Sequence, residues 1–244
     1  MKKKLTRVWS SGQFVLLALF TTLFLSACDD INCIKGEGPR ETRTLNLQQF
    51  KSIEANGSFK VYITQGATQQ VEVKGESNIL DQLNTSISNN TWKIEHTSCV
   101  RRSNDVEIYI TMPVVESLLL NGSGRIKGQN ALTAADLQVT LNGSGKIELN
   151  ASADQVITRL IGSGEIVLSG AAARHSVNIS GSGRTETFGM QANNVTVNLS
   201  GSGVAEVNAV SALAVEISGS GNVYYKGNPT VTTTVTGSGK VVKK

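Results

Sequence analysis

The sequence predicts an all-β protein, a β-solenoid of about seven coils with a β-rich cap at its N-terminal end. Three observations predict it. Gly-Ser-Gly triplets begin at Gly122, Gly143, Gly162, Gly181, Gly201, Gly219 and Gly237, at intervals of 21, 19, 19, 20, 18 and 18 residues. A fixed period of about 20 residues marks stacked repeats, each too small to bury an apolar face alone. Aliphatic residues stand two places before every first glycine: Leu120, Leu141, Leu160, Ile179, Leu199, Ile217 and Val235. Four places before it come Leu118, Val139, Thr158, Val177, Val197, Val215 and Thr233, so every second residue points the same way, as in a strand. Four places after it, Ile126, Ile147, Ile166, Thr185, Ala205, Val223 and Val241 begin a second strand. Repeated glycine and the period of two exclude helices. Neither the leucine-rich signature nor the aspartates of calcium-binding nonapeptide repeats are present.

The segments follow in order. Residues 1–27 read as a signal peptide. Lys2, Lys3, Lys4 and Arg7 precede an apolar run from Phe14 to Phe24, which is too short to span a bilayer. Leu25-Ser26-Ala27-Cys28 resembles a bacterial lipobox, which implies cleavage before Cys28 and lipid on it. The alternative is an ordinary signal peptide with an incidental cysteine. Residues 28–40 are polar and read as a tether. Residues 41–117 carry strand-like runs, FKVYIT (59–64), QQVEVKG (69–75), TWKIEH (91–96) and DVEIYIT (105–111), with a short helical turn at NILDQLN (78–84). No triplet occurs there, and the region reads as a cap over the first coil, because an open solenoid edge invites pairing. Residues 118–244 are the coils. A corner between strands needs positive φ or close chain approach, which glycine allows, and the central serines can bond local backbone. At the far end Lys240, Lys243 and Lys244 discourage edge pairing.

Charge narrows the partners. Cleavage before Cys28 removes four of 23 basic residues and leaves 19 against 19 acidic ones. The basic pI belongs to the signal, and no nucleic-acid footprint remains. An exported chain passes through an oxidising compartment, so Cys33 and Cys99 are candidates for a disulfide, with two free buried thiols as the alternative.

LQQFKSIEANGSFKVYITQG, QQVEVKGESNILDQL, NDVEIYITMPVVESLLLNGSG and the triplet coils together resemble the GIN-domain family, which also carries the label of an auto-transporter adhesin head. The resemblance covers roughly residues 40–244. It implies a right-handed β-helix in a bacterial envelope protein, often behind a lipoprotein signal. No translocator barrel follows the coils, so self-transport is not implied, and the family offers no catalytic residues to carry over.

Candidate sites are few. Ser123, Ser144, Ser163, Ser182, Ser202, Ser220 and Ser238 form a hydroxyl ladder that reads either as a polysaccharide surface or as repeated turn chemistry. Arg125, Lys146, Glu165 and Arg184 occupy one register position in successive coils, and Lys146–Glu165–Arg184 is expected to alternate in charge along the outer face. Glu148, Glu186 and Glu206 share another position. Glu186 and Glu206 fall on neighbouring coils, near the spacing of a retaining glycosidase pair, but on a solvated face. Phe188, Tyr224 and Tyr225 are the only aromatics of the repeats. His96 and His175 lack metal-ligand spacing, and no metal or cofactor is expected. The expected function is a non-enzymatic, lipid-anchored protein of the bacterial cell envelope, at its periplasmic face or surface. Its role is structural or adhesive, with a protein or polysaccharide ligand, and self-association is left open. A polysaccharide-active β-helix enzyme and an envelope assembly or stress partner are the rivals.

Overall fold

The computed structural model describes residues 33–101 and 103–244. The signal segment and Cys28 lie outside the described residues. Residues Ile34–Lys244 form one compact unit. It begins with β1 (Ile34–Lys35), β2 (Arg40–Leu45), β3 (Ser52–Asn56), β4 (Lys60–Gln65) and β5 (Gln70–Glu76), then the short helix α1 (Ser77–Leu80). β6 (Ile87–Ser88), β7 (Thr91–Ile94), β8 (Val100–Arg101), β9 (Glu107–Met112) and β10 (Ser117–Gly122) follow. Five long strands then each wrap most of one coil: β11 (Arg125–Gly143), β12 (Lys146–Gly162), β13 (Glu165–Gly181), β14 (Arg184–Gly201) and β15 (Val204–Gly219). β16 (Asn222–Lys226), β17 (Thr230–Gly237) and β18 (Lys240–Lys243) complete the chain. The expected β-solenoid of about seven turns is the observed fold.

Successive coils pair in parallel and in register. Gly122 opposes Gly143, and the match continues through Gly162, Gly181, Gly201, Gly219 and Gly237. The two glycines of a triplet serve different needs. At Gly181 φ is +124°, and a Cβ would lie 2.5 Å from the Gly162 carbonyl oxygen one coil back. Gly183 has ordinary φ, but a Cβ there would meet the Gly164 oxygen at 2.7 Å. This close approach lets the Gly162 carbonyl accept from the backbone N–H groups of both Ser182 (3.0 Å) and Gly183 (2.9 Å). The uneven intervals leave the corner untouched. β11 carries three residues between Lys127 and Ala131 where β12 has one between Glu148 and Asn150, which accounts for the 21-residue coil. β14 likewise bulges against β13 after Val167. Gly170 and Gly227 also have positive φ, away from any triplet.

The stack starts earlier than the triplets. Ile53 and Ala55 in β3 pair with Leu118 and Leu120, and Gly57, at φ +128°, takes the corner position opposite Gly122. β4 then pairs with β11. Residues 52–65 are therefore a coil, not part of a cap, and its corner reads Gly57-Ser58-Phe59. Below it lies a coil that comes later in sequence. β7 pairs in parallel with β3, and β9 with β4. Antiparallel strands end the stack there, β5 and β2 beyond β9 and β6 beyond β7. The charged edge strand β2 suits an end that must not recruit another chain. Phe59 replaces the third glycine because the chain below runs as a loop instead of a close-packed corner. Its buried ring lies 4.8 Å from the His96 ring in the space so left. Part of the expected tether is also structured, since β1 pairs with β8 and β2 starts at Arg40.

The interior follows the sequence pattern. The aliphatic positions flanking each corner are buried from Ile53 to Val223, each contributing about 1.5–3 kcal/mol. Buried Thr158, His175, Thr185 and Thr187 interrupt the apolar rows, and Thr158 Oγ1 and His175 Nε2 lie 3.0 Å apart. In the last coil nothing stacks on Val235, which is 42% exposed.

Candidate binding faces

The corner ladder is built by backbone alone. All seven triplet serines, and Ser58 in the same register, have exposed side chains. From Ser144 onward their backbone N–H groups bond along the corner to the first glycine one coil back, as Ser144 does to Gly122 O at 3.1 Å. None of their hydroxyls bonds to backbone among the described residues, so the expected turn role of the side chain is not what the geometry shows. Ser202 Oγ and Ser220 Oγ lie 3.0 Å apart. The other hydroxyls are free to meet a ligand.

One place before the corner runs a ladder the sequence reading missed. Asn121 donates to Asn56 (2.7 Å) and Asn142 to Asn121 (2.8 Å). The repeated NGS in the first three corners was its signal. The row changes at Ile161, which is 53% exposed. Beside it a groove of about 360 Å³ runs over Arg159, Asn178, Ser180, Asn198 and Ser200. Its amides are already engaged, Asn198 donating to Asn178 at 3.0 Å.

Beyond the corner, the outward side chains of β4, β9 and the long strands form a second face. Lys60, Arg125 and Lys146 are direct cross-strand neighbours here. Lys60 pairs with Asp105 at 2.7 Å, and that hydrogen bond holds its ammonium above the ordinary lysine value. Lys146 pairs with Glu165 at 2.8 Å, and its hydrogen bond holds that carboxyl below the usual carboxylate range. The row continues in register to Arg184, so its charges alternate as expected, although Arg184 makes its ion pairs elsewhere. Arg184 turns forward, with Nη1 3.4 Å from Glu206 and Nε 3.9 Å from Glu186. Because one guanidinium serves both carboxylates, Glu186 and Glu206 form an ion-paired surface cluster, not an acid and base in an apolar cleft. Glu148 pairs with Lys127 at 3.4 Å.

The same face carries the aromatic feature that sequence distance hid. Tyr62 on β4 and Tyr109 on β9 are register partners, and their rings stack at 4.8 Å with 14° between planes. Tyr109 is 40% exposed and donates its hydroxyl to Glu107 at 2.9 Å. The aromatics singled out from sequence are instead covered or inward. Lys226 Nζ sits 4.6 Å over the Phe188 ring and Lys244 Nζ 4.7 Å over Tyr224. Tyr225 packs against the core.

The histidines do not form a site. Burial lowers the His175 pKa to about 4, and it lowers His96 as well. Among the described residues no group of three or more His, Cys, Asp or Glu could hold a metal ion. Cys33 and Cys99 are both disulfide-bonded, and the chain directly after Cys33 is fixed by the Ile34 N–H donating to Cys99 O at 2.8 Å.

No curated protein matches the sequence. Solved structures do. A protein described as a "putative adhesin" from Bacteroides fragilis superposes with a TM-score of 0.82 at 24% identity, over 86% of this chain and 100% of that one. A protein from Parabacteroides distasonis described as a "putative lipid binding protein" gives 0.73 at 26%, over 87% and 100%. A "putative adhesin" from the same organism gives 0.71 at 21%, over 87% and 100%. These likenesses repeat the solenoid. The family model described as "Putative auto-transporter adhesin, head GIN domain" matches residues 49–229, from the out-of-order first coils to the start of β17, and the chain belongs to that family.

Proposed function

We propose that the protein is a lipid-anchored, non-enzymatic binding protein of the bacterial envelope that holds a glycan on the outer face of its N-terminal coils. The observation that carries this reading is the stacked pair of half-buried Tyr62 and exposed Tyr109, on the end of the solenoid where the hydroxyls of Ser58, Ser123 and Ser144 are unengaged. Aromatic faces shield the apolar side of a sugar ring, and hydroxyls exchange hydrogen bonds with its rim. Family membership supports a binding role. The shared guanidinium at Glu186 and Glu206, and coils without long insertions, speak against a hydrolytic cleft. Lipid anchoring rests on the Leu25–Cys28 sequence.

Affinity electrophoresis of the mature protein in gels cast with envelope polysaccharides tests the reading. Retardation is expected in at least one gel, reduced about tenfold in apparent affinity by Tyr62→Ala or Tyr109→Ala, a loss of ~1.4 kcal/mol. Equal mobility in every gel, or retardation indifferent to both substitutions, refutes it. The likeness to a protein described as lipid-binding, together with exposed Ile161 in its groove, supports a second reading in which an acyl chain lies there. Displacement of a fluorescent fatty acid, lost in Ile161→Ser, tests that one.

A further inference from the structure

Stability asks for alternating charge along a row of cross-strand neighbours, because like charges directly opposite one another repel. From Lys146 onward the row obeys, passing to Glu165. At its N-terminal end it does not. Lys60, Arg125 and Lys146 follow one another in register, three cations on three adjacent coils. The outer two are relieved, Lys60 by Asp105 and Lys146 by Glu165. Arg125, in the middle, is exposed and makes no ion pair or side-chain hydrogen bond among the described residues. Around it opens a groove of about 510 Å³ lined by Ser58, Ser123 and Ser144, by the three cations, and by Asp105. The three hydroxyls have no side-chain partner there either. A planar guanidinium set among free hydroxyl donors is a fit for a carboxylate, sulfate or phosphate oxygen pair. The stacked Tyr62–Tyr109 pair lies on the same face, two residues along β4 from Lys60.

We infer that this groove binds the acid group of an acidic polysaccharide, with Arg125 as the recognising residue. The inference rests on the glycan-binding reading above and names the charge class of the glycan. A polymer is favoured over a single anion by the layout. The site is an open groove crossing three coils about 4.8 Å apart, close to the length of one pyranose ring in an extended chain, and it has aromatic surface beside it. Lys60 and Lys146, already paired, set the positive potential of the groove, while Arg125 retains free donors. Asp105 at the edge restricts the anion to the centre.

The test uses the mature protein with polygalacturonate, the same polymer fully methyl-esterified, and phosphatidylglycerol vesicles. Polygalacturonate is expected to bind, at least tenfold more tightly than its ester, with affinity falling as salt rises. Arg125→Ala is expected to weaken binding at least tenfold. Arg125→Glu restores charge alternation with Lys60 and Lys146, so it is expected to abolish binding while leaving the unfolding midpoint equal or higher. That combination separates recognition from folding. Glu206→Gln, remote from the groove, serves as the unaffected control. Equal binding of acid and ester, or full affinity in Arg125→Ala, overturns the inference and leaves glycan binding standing. Binding to neither polymer, with or without binding to vesicles, overturns the inference, and the electrophoresis above decides the glycan reading separately.

Discussion

The two glycines of a triplet can be separated by experiment, because the structure assigns them different costs. Gly57 has the same positive φ as Gly181, but a Cβ on it meets nothing nearer than Phe59 Cε2 at 3.6 Å. Gly57→Ala therefore carries backbone strain alone, about 1–3 kcal/mol. Gly183 has no positive φ, yet its Cβ would collide with the Gly164 oxygen at 2.7 Å and Leu160 Cδ2 at 2.7 Å. Gly183→Ala therefore carries overpacking alone, again about 1–3 kcal/mol. Gly181→Ala carries both, since its Cβ falls 2.5 Å from the Gly162 oxygen, and should lose about 2–6 kcal/mol. Gly181→Val should be worse still, because a branched side chain at positive φ is a stronger outlier. Urea unfolding followed by circular dichroism measures the order. The expected midpoints fall from wild type, through Gly57→Ala and Gly183→Ala, to Gly181→Ala and then Gly181→Val. If Gly57→Ala costs as much as Gly181→Ala, close packing of corners contributes nothing and the argument fails.

Mass spectrometry of the membrane fraction should find the mature N-terminus at Cys28 carrying lipid; an unmodified Cys28, or unchanged membrane partitioning in Cys28→Ser, contradicts the anchor. His175, neutral and buried, has a folded pKa of about 4 against 6.5 unfolded, so the unfolded chain takes up a proton first. Its contribution is complete above pH ~7 and is lost as pH falls from ~6.5 toward ~4, about 3 kcal/mol in all. Unfolding at a series of pH values should show that loss in the wild type and a flatter profile in His175→Leu; parallel profiles would place the titration elsewhere.

The coils were legible because inward positions repeat with the corner. Leu120, Leu141 and Leu160 are aliphatic in the sequence for the reason they are buried in the structure. The first coil was not, because its corner ends in Phe59 instead of glycine, and the coil below it is supplied by a segment about 40 residues later. Parallel stacking leaves no local sequence mark when coil order and chain order differ. For the same reason Tyr62 and Tyr109, 47 residues apart, could not be read as a pair. The serine ladder was visible but its chemistry was not. Only the geometry shows that backbone carbonyls meet the corner N–H groups and leave the hydroxyls outside. The charged row was visible too, and the expected alternation holds at Lys146–Glu165, while Arg184 finds its partners one coil on and within its own strand.

A solenoid separates folding from recognition more sharply than most folds. Inward residues and corner glycines secure the stack, so outward rows are constrained only by their neighbours along the axis. Where such a row breaks the alternation that its neighbours prefer, the reason lies outside folding. Arg125 is that place in this chain. The aromatic pair beside it has a different origin. It exists because residues 91–112 are laid beneath 52–65, the same rearrangement that lets antiparallel β5 and β2 close the end of the stack. Asp105, which relieves Lys60, comes from that inserted layer as well. The cap and half of the proposed binding face are thus one structural event, and disturbing the layer at Ile108 or Ile110 must damage both together. Arg125 stands on β11, outside the inserted layer, and carries no part of the cap. Substitutions there alone can alter binding without touching the fold, which makes Arg125→Glu the most direct separation of the two.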